Sequence, residues 1–158
     1  MDVRAYHRRA REGPCFICEL VAGRTPHDVV HEDEHAIAFL NRYPTLRGYT
    51  LVAPKRHVEE VTADFSEEEY VELQRVVHRV GEALRRTAPT ERLYVLSLGS
   101  KQGNAHVHWH LAPLPPGVPY EEQQLVALDW GPNGENILDT SDDEQAHLAA
   151  VIRSALSS

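Results

Sequence analysis

The stretch His106-Val107-His108-Trp109-His110-Leu111-Ala112-Pro113 places three histidines at alternate positions in an otherwise apolar run. On a strand, side chains two apart point the same way, about 7 Å from each other. The spacing therefore predicts a strand from His106, with a row of imidazoles on one face and Val107 and Trp109 on the other. Imidazole changes charge near neutral pH and serves as nucleophile, acid, base or metal ligand. Three on one face exceed what packing requires. Trp109, turned away from them, is expected to pack against a helix or a partner subunit. Just upstream, Gly99-Ser100-Lys101-Gln102-Gly103-Asn104 is a small polar loop whose backbone N–H groups can cradle an anion.

Working outward, Leu93 to Leu98 reads as a strand leading into that loop. Before it, Ser66 with Glu69 forms a capping box, and Tyr70, Leu73, Val77, Val80 and Leu84 recur at helical spacing, predicting a helix over 66–87. Further upstream, 29–32 and 35–40 read as a hairpin turning at Asp33 and Glu34, and 50–53 as a third strand ended by Pro54. Cys15 to Ala22 reads as a short helix stopped by Gly23, and residues 1–14 as a short helix or a loose polar arm. Downstream, Pro113, Pro115, Pro116 and Pro119 are expected to end the histidine strand and open an irregular segment. Ser141 with Glu144 caps a final helix whose apolar face carries Leu148, Val151, Ile152, Ala155 and Leu156. Strands joined by short turns favour an antiparallel sheet. The expected fold is α+β, a five-stranded antiparallel sheet with one long packed helix and a C-terminal helix. The expected division is an N-terminal arm (1–14), a catalytic domain (15–118) and a tail (119–158) belonging to the same domain.

With 158 residues, 42% of them hydrophobic, the chain can build one real core. Its 24 acidic and 16 basic residues leave a formal charge of -8. No basic stripe is present to track a nucleic acid polymer, although a small nucleotide needs only a few local donors. Apolar runs are too short for a membrane span, and Met1-Asp2-Val3-Arg4 opens no signal-peptide core, so a cytoplasmic location is expected. In a reduced compartment the two cysteines, Cys15 and Cys18, suggest a metal or redox pair rather than a structural disulfide.

The histidine run resembles the signature of the histidine triad family: three alternating histidines separated and followed by mostly apolar residues. The resemblance extends through Cys15-Phe16-Ile17-Cys18, Glu32 to Leu40, and Thr50-Leu51-Val52-Ala53-Pro54-Lys55-Arg56-His57, covering roughly residues 15–115. It implies a nucleotide hydrolase or nucleotidyl transferase. The middle histidine, His108, would attack the α-phosphorus to give a covalent nucleotidyl-histidine. His110 would donate to a phosphoryl oxygen, and Gln102 would contact the phosphate or the leaving-group oxygen. Family members often carry two more residues in the loop before the triad, and a serine or threonine where this chain has Gly103. Phosphate contacts here would therefore fall to Lys101 or to the backbone of Gly103 and Asn104.

By the same resemblance, zinc-containing bacterial members imply a structural zinc held by Cys15, Cys18, His57 and His106. Phe16, Ile17, Leu20, Phe39 and Leu40 match positions that wall the base pocket, although each is also a good core residue. Asn41 matches the position directed at the ribose hydroxyls, and Asn41-Arg42-Tyr43-Pro44 resembles members that cleave dinucleoside polyphosphates. Homodimers joined edge to edge are usual in the family, an arrangement that also covers an exposed sheet edge. The remaining histidines, His7, His27, His31, His35, His78 and His147, read as polar-face or turn residues. Two further readings stay open at this point: a phosphoramidate-cleaving hydrolase, and a non-catalytic nucleotide-binding module. Whether the tail caps the site or extends a dimer contact is equally open.

Overall fold

The computed structural model describes residues 2–99 and 104–157. Among these described residues nine elements follow one another: α1 (Val3–Glu12), α2 (Phe16–Val21), β1 (Val29–Glu32), β2 (Ala36–Leu40), β3 (Thr50–Pro54), α3 (Glu67–Thr87), β4 (Arg92–Leu96), β5 (Trp109–Leu114) and α4 (Asp142–Leu156). The strands form one antiparallel sheet in the order β1-β2-β3-β5-β4. Among the described residues, no helix is long and apolar enough to cross a membrane.

The sheet is covered on both faces. Period-2 alternation sends Ala38, Val52, Trp109 and Leu111 to one side, where Leu73, Val77, Val80 and Leu84 of α3 and Ala149 and Ile152 of α4 meet them. Ile37, Phe39, Leu51, Ala53, Ala112 and Leu114 go to the other, against Ile17 and Leu20 of α2, Tyr49, and Ala127 from the segment before α4. Ser66 and Glu69 cap α3 reciprocally, and Ser141 and Glu144 do the same for α4, so both expected capping boxes are formed. Gly81 lets α3 lie close to the sheet: a Cβ there would stand 2.8 Å from Leu93 Cδ2. Asp2 caps α1 by accepting from the Ala5 N–H, so the basic opening segment is helical.

Two expectations about the histidine strand need correction. First, β5 begins at Trp109 rather than at His106. The backbone of 106–108 bonds elsewhere: the Val107 N–H donates to the Val58 carbonyl, and the Ser97 hydroxyl donates to the His108 carbonyl. The alternation of faces nonetheless survives, with Val107 and Trp109 both in the helix-side core and Trp109 packed edge-on to Phe65 and Tyr70. Second, Pro113 lies inside β5, opposite Leu93. The Leu114 carbonyl accepts from Glu91 on the β4 side, so Pro113, one residue back, faces β3, whose ladder has already ended at Thr50 and Leu111. A missing N–H is tolerated there because no partner waits for it.

Candidate active site and metal centre

Two clusters of side chains sit beside each other at the start of β5. In the first, Cys15 is the N-cap of α2 and Cys18 lies in its first turn, so both thiols stand at one end of that helix. His57 follows β3, and His106 precedes β5. The four ligand atoms all lie within 4.8 Å of one another. Cys15 Sγ is 3.4 Å and Cys18 Sγ 3.6 Å from His106 Nδ1, and Cys18 Sγ is 3.3 Å from His57 Nδ1. A tetrahedron with Zn–S near 2.3 Å and Zn–N near 2.0–2.1 Å has S···N edges of about 3.5 Å. These residues are therefore positioned to bind a metal ion. The outer nitrogens fit the same role: His106 Nε2 is 2.9 Å from the Pro54 carbonyl, and His57 Nε2 is 3.3 Å from Glu59 Oε1. A carbonyl only accepts, so His106 carries its proton on Nε2 and presents a bare Nδ1 to the thiols. Burial, followed by the Cys15 thiol, pushes the Cys18 thiol up to about 11.

The second cluster is His108 and His110, with ring centroids 4.7 Å apart. That is closer than the roughly 7 Å strand repeat because the rings lean together. His108 is 4% exposed, and its Nδ1 lies 2.7 Å from the His106 carbonyl. Nδ1 must therefore donate, which leaves Nε2 without a proton. Burial holds the His108 ring below the ordinary imidazole value, so it is neutral at pH 7. His110 is lowered further, to about 3, by burial and then by His108. Its Nδ1 is 3.1 Å from the Tyr49 hydroxyl, and burial pushes that hydroxyl up to about 12. Tyr49 thus keeps its proton and can donate it to His110 Nδ1, in the tautomer that carries the His110 proton on Nε2. Tyr49 carried no functional expectation from sequence, because an isolated tyrosine before a strand gives no sign that its hydroxyl reaches a residue 61 positions away.

His108 and His110 line a cavity of about 390 Å³ together with Phe16, Phe39, Asn41 and Asn104. Phe16 and Phe39 meet edge to face at 5.9 Å. Asn41 Oδ1 accepts the Tyr43 N–H, which leaves the amide NH₂ as a donor on the cavity wall. Asn104 holds a left-handed backbone, φ 47, and turns the chain into the triad. Ile17, Leu20 and Leu40 stand behind the wall instead of on it. The first two are core between α2 and the sheet, and Leu40 belongs to the helix-side core. Their apolar character could not tell lining from backing. His27, read from sequence as a turn residue, lies against Phe39 at 5.4 Å and also lines the cavity. Lys101, Gln102 and Gly103 lie outside the described residues.

Comparison with known proteins matches residues 22–116 to the HIT domain. A HIT-like protein of Methanocaldococcus jannaschii is 33% identical over 121 residues, 73% of this chain and 93% of that protein. The adenosine 5'-monophosphoramidase of Schizosaccharomyces pombe is 28% identical over 127 residues, 72% of this chain and 92% of the relative. Among solved structures, a hypothetical histidine triad nucleotide-binding protein of Sulfolobus tokodaii superposes with a TM-score of 0.72 at 24% identity, covering 90% of this chain and 92% of that one. A Zn-bound histidine triad family protein of Mycobacterium smegmatis gives 0.66 at 24% identity, covering 90% and 93%. The five-stranded sheet, the triad at the head of β5 and the matched span agree: this chain belongs to the HIT domain family.

Proposed function

We propose that the chain is a nucleotide hydrolase or nucleotidyl transferase that works at the α-phosphate through a covalent nucleotidyl-histidine on His108, with dinucleoside polyphosphates as substrates. The observation that carries this reading is the bond from His108 Nδ1–H to the His106 carbonyl, which holds a neutral imidazole with a bare Nε2. In the first step Nε2 attacks the α-phosphorus, a P–N bond forms, and the bond to the leaving group breaks with its electron pair. In the second, water or another acceptor forms a P–O bond as the P–N bond breaks, and the acceptor's proton is released. Splitting one displacement in two lowers each barrier. His110 Nε2–H donates to a phosphoryl oxygen, where charge builds in the transition state. Asn41 holds the ribose, and Phe16 and Phe39 flank the base. Gln102, Gly103 and Asn104 would complete the phosphate contacts.

Cys15, Cys18, His57 and His106 would hold zinc as a structural ion that ties α2 to the lead-in of β5. The sulfur-nitrogen donor set and its spacing support that ion. A homodimer is proposed through β4, an edge strand that exposes Val95 and is followed by exposed Leu98.

A phosphoramidate substrate is the second reading, favoured by the fission yeast relative. The chemistry separates the two. A polyphosphate leaves as an anion without a proton, whereas an amine leaves only after gaining one. Product analysis with diadenosine tetraphosphate and with adenosine 5'-phosphoramidate, each with and without inorganic phosphate, tests the proposal. Release of AMP, or of ADP when phosphate is the acceptor, is expected, with the tetraphosphate turned over faster. No turnover of either substrate would overturn the enzymatic reading.

A further inference from the structure

The cavity has a second aromatic end that the reaction described above does not use. Tyr6 from α1, Tyr43 after β2 and Trp130 before α4 form a triangle of edge-to-face rings, with centroids 5.6, 4.9 and 6.3 Å apart. All three line the cavity that holds His108 and His110. Among the described residues, no ring contact joins this triangle to Phe16, His27 and Phe39, so the cavity carries two separate aromatic groups. Asn104 Nδ2 donates to the Tyr6 hydroxyl at 2.9 Å, linking the triangle to the turn just before the triad.

Charge points the same way. The chain is acidic overall, at -8, yet Arg9 and Arg42 line this cavity and neither has an ion-pair partner among the described residues. The one carboxylate on the wall among the described residues, Glu19, is bound by Arg24 through two hydrogen bonds of 2.9 and 2.7 Å. Arg9 lies 5.7 Å from the centre of the Tyr6 ring, so a cation and an aromatic surface are presented together. A flat ring carrying phosphate is what such a surface recognises. An amine leaving group offers neither feature.

We infer that Tyr6, Tyr43 and Trp130, with Arg9 and Arg42, form the leaving-group subsite, which takes the distal nucleoside and its adjoining phosphates. The inference rests on nucleotidyl transfer to His108 and names which half of the substrate α1 and the pre-α4 segment hold. It also gives α1 a role, since that helix has no buried residue of its own.

The test is kcat/KM for diadenosine tetraphosphate and for adenosine 5'-phosphoramidate, which share the adenylyl group and differ in what leaves. Trp130→Ala should lower the first roughly tenfold and the second less than about twofold. Trp130→Phe should restore most of the loss. Arg9→Gln and Arg42→Gln should each cost the tetraphosphate roughly fivefold to tenfold, with the deficit shrinking at high salt. Equal losses on both substrates would make the triangle a scaffold for α1 and overturn the subsite, as would no loss on either. The arginine variants keep the proposal testable if Trp130→Ala does not fold. Failure of the underlying reaction looks different: there His108→Ala leaves turnover intact, whereas failure of the subsite alone leaves His108 essential and the substrate-selective loss absent.

Discussion

His106 and His108 are two residues apart on the same stretch, yet each gives its proton to a carbonyl through the opposite ring nitrogen. His106 uses Nε2, toward Pro54, and turns a bare Nδ1 to the two thiols. His108 uses Nδ1, toward the backbone of His106 itself, and keeps a bare Nε2 at the cavity. The chemistry of an imidazole is thus decided by which nitrogen the backbone engages. The comparison also explains why the two clusters are adjacent: the His106 carbonyl that orients His108 belongs to a residue whose ring is anchored by the metal set. A metal at the first cluster would stiffen the support of the second without touching phosphorus.

The largest effect that probes this division is removal of the proposed nucleophile. His108→Ala should lower kcat by about 10⁴-fold or more while metal content and melting temperature stay near wild type. Steady-state assay with metal analysis checks it, and a parallel loss of metal would erase the distinction between the two histidines. Next in size is the metal. Cys15→Ser or Cys18→Ser should abolish stoichiometric zinc and lower the melting temperature by about 10 °C or more. Activity should fall as well, through disorder of the His106 backbone, and remain above that of His108→Ala. Calorimetry and metal analysis decide it, and an unchanged melting temperature would remove the structural role.

Tyr49→Phe should be smaller. Deleting the hydroxyl frees the tautomer of His110 and should cost kcat roughly fivefold to tenfold, with KM and metal content little changed. Tyr49 acts here as a positioning residue, so a rise in KM without a loss of kcat would contradict it. The last effect concerns acid. An unfolded imidazole takes up a proton near pH 6.5, whereas folded His110 resists until about pH 3, so acid favours the unfolded state first. The contribution of His110 is intact above pH 6.5 and is lost as pH falls from there toward 3. Between pH 7.5 and 4.5 the wild-type melting temperature should therefore drop more steeply than that of His110→Asn. Parallel curves would contradict the depressed value.

Much of this was legible in the order of residues because local periodicity carries it. Ser66 and Glu69, the helical spacing of α3 and the alternation from Val107 to Leu111 all act over a few positions, and all appear where they were read. What escaped depends on contacts distant in sequence. Val58 and Ser97 draw the backbone of 106–108 out of the ladder, which no local pattern announces. Pro113 reads as a strand breaker until the side on which β3 ends is known. Ile17 and Leu20 share apolar chemistry with Phe16 but point into the core. His27, Tyr6 and Trp130 reach the cavity, and Tyr49 reaches His110, only because the fold brings separate segments together.

The central claim is that phosphorus bonds to His108 and to neither of its neighbours. Rapid acid quench during turnover of an adenylyl donor, followed by peptide mass spectrometry, reads that bond directly. The account predicts one adenylyl group on the peptide, localised to His108 and absent from His108→Ala. An adduct on His106 or His110, or steady turnover with no adduct at any quench time, would contradict it.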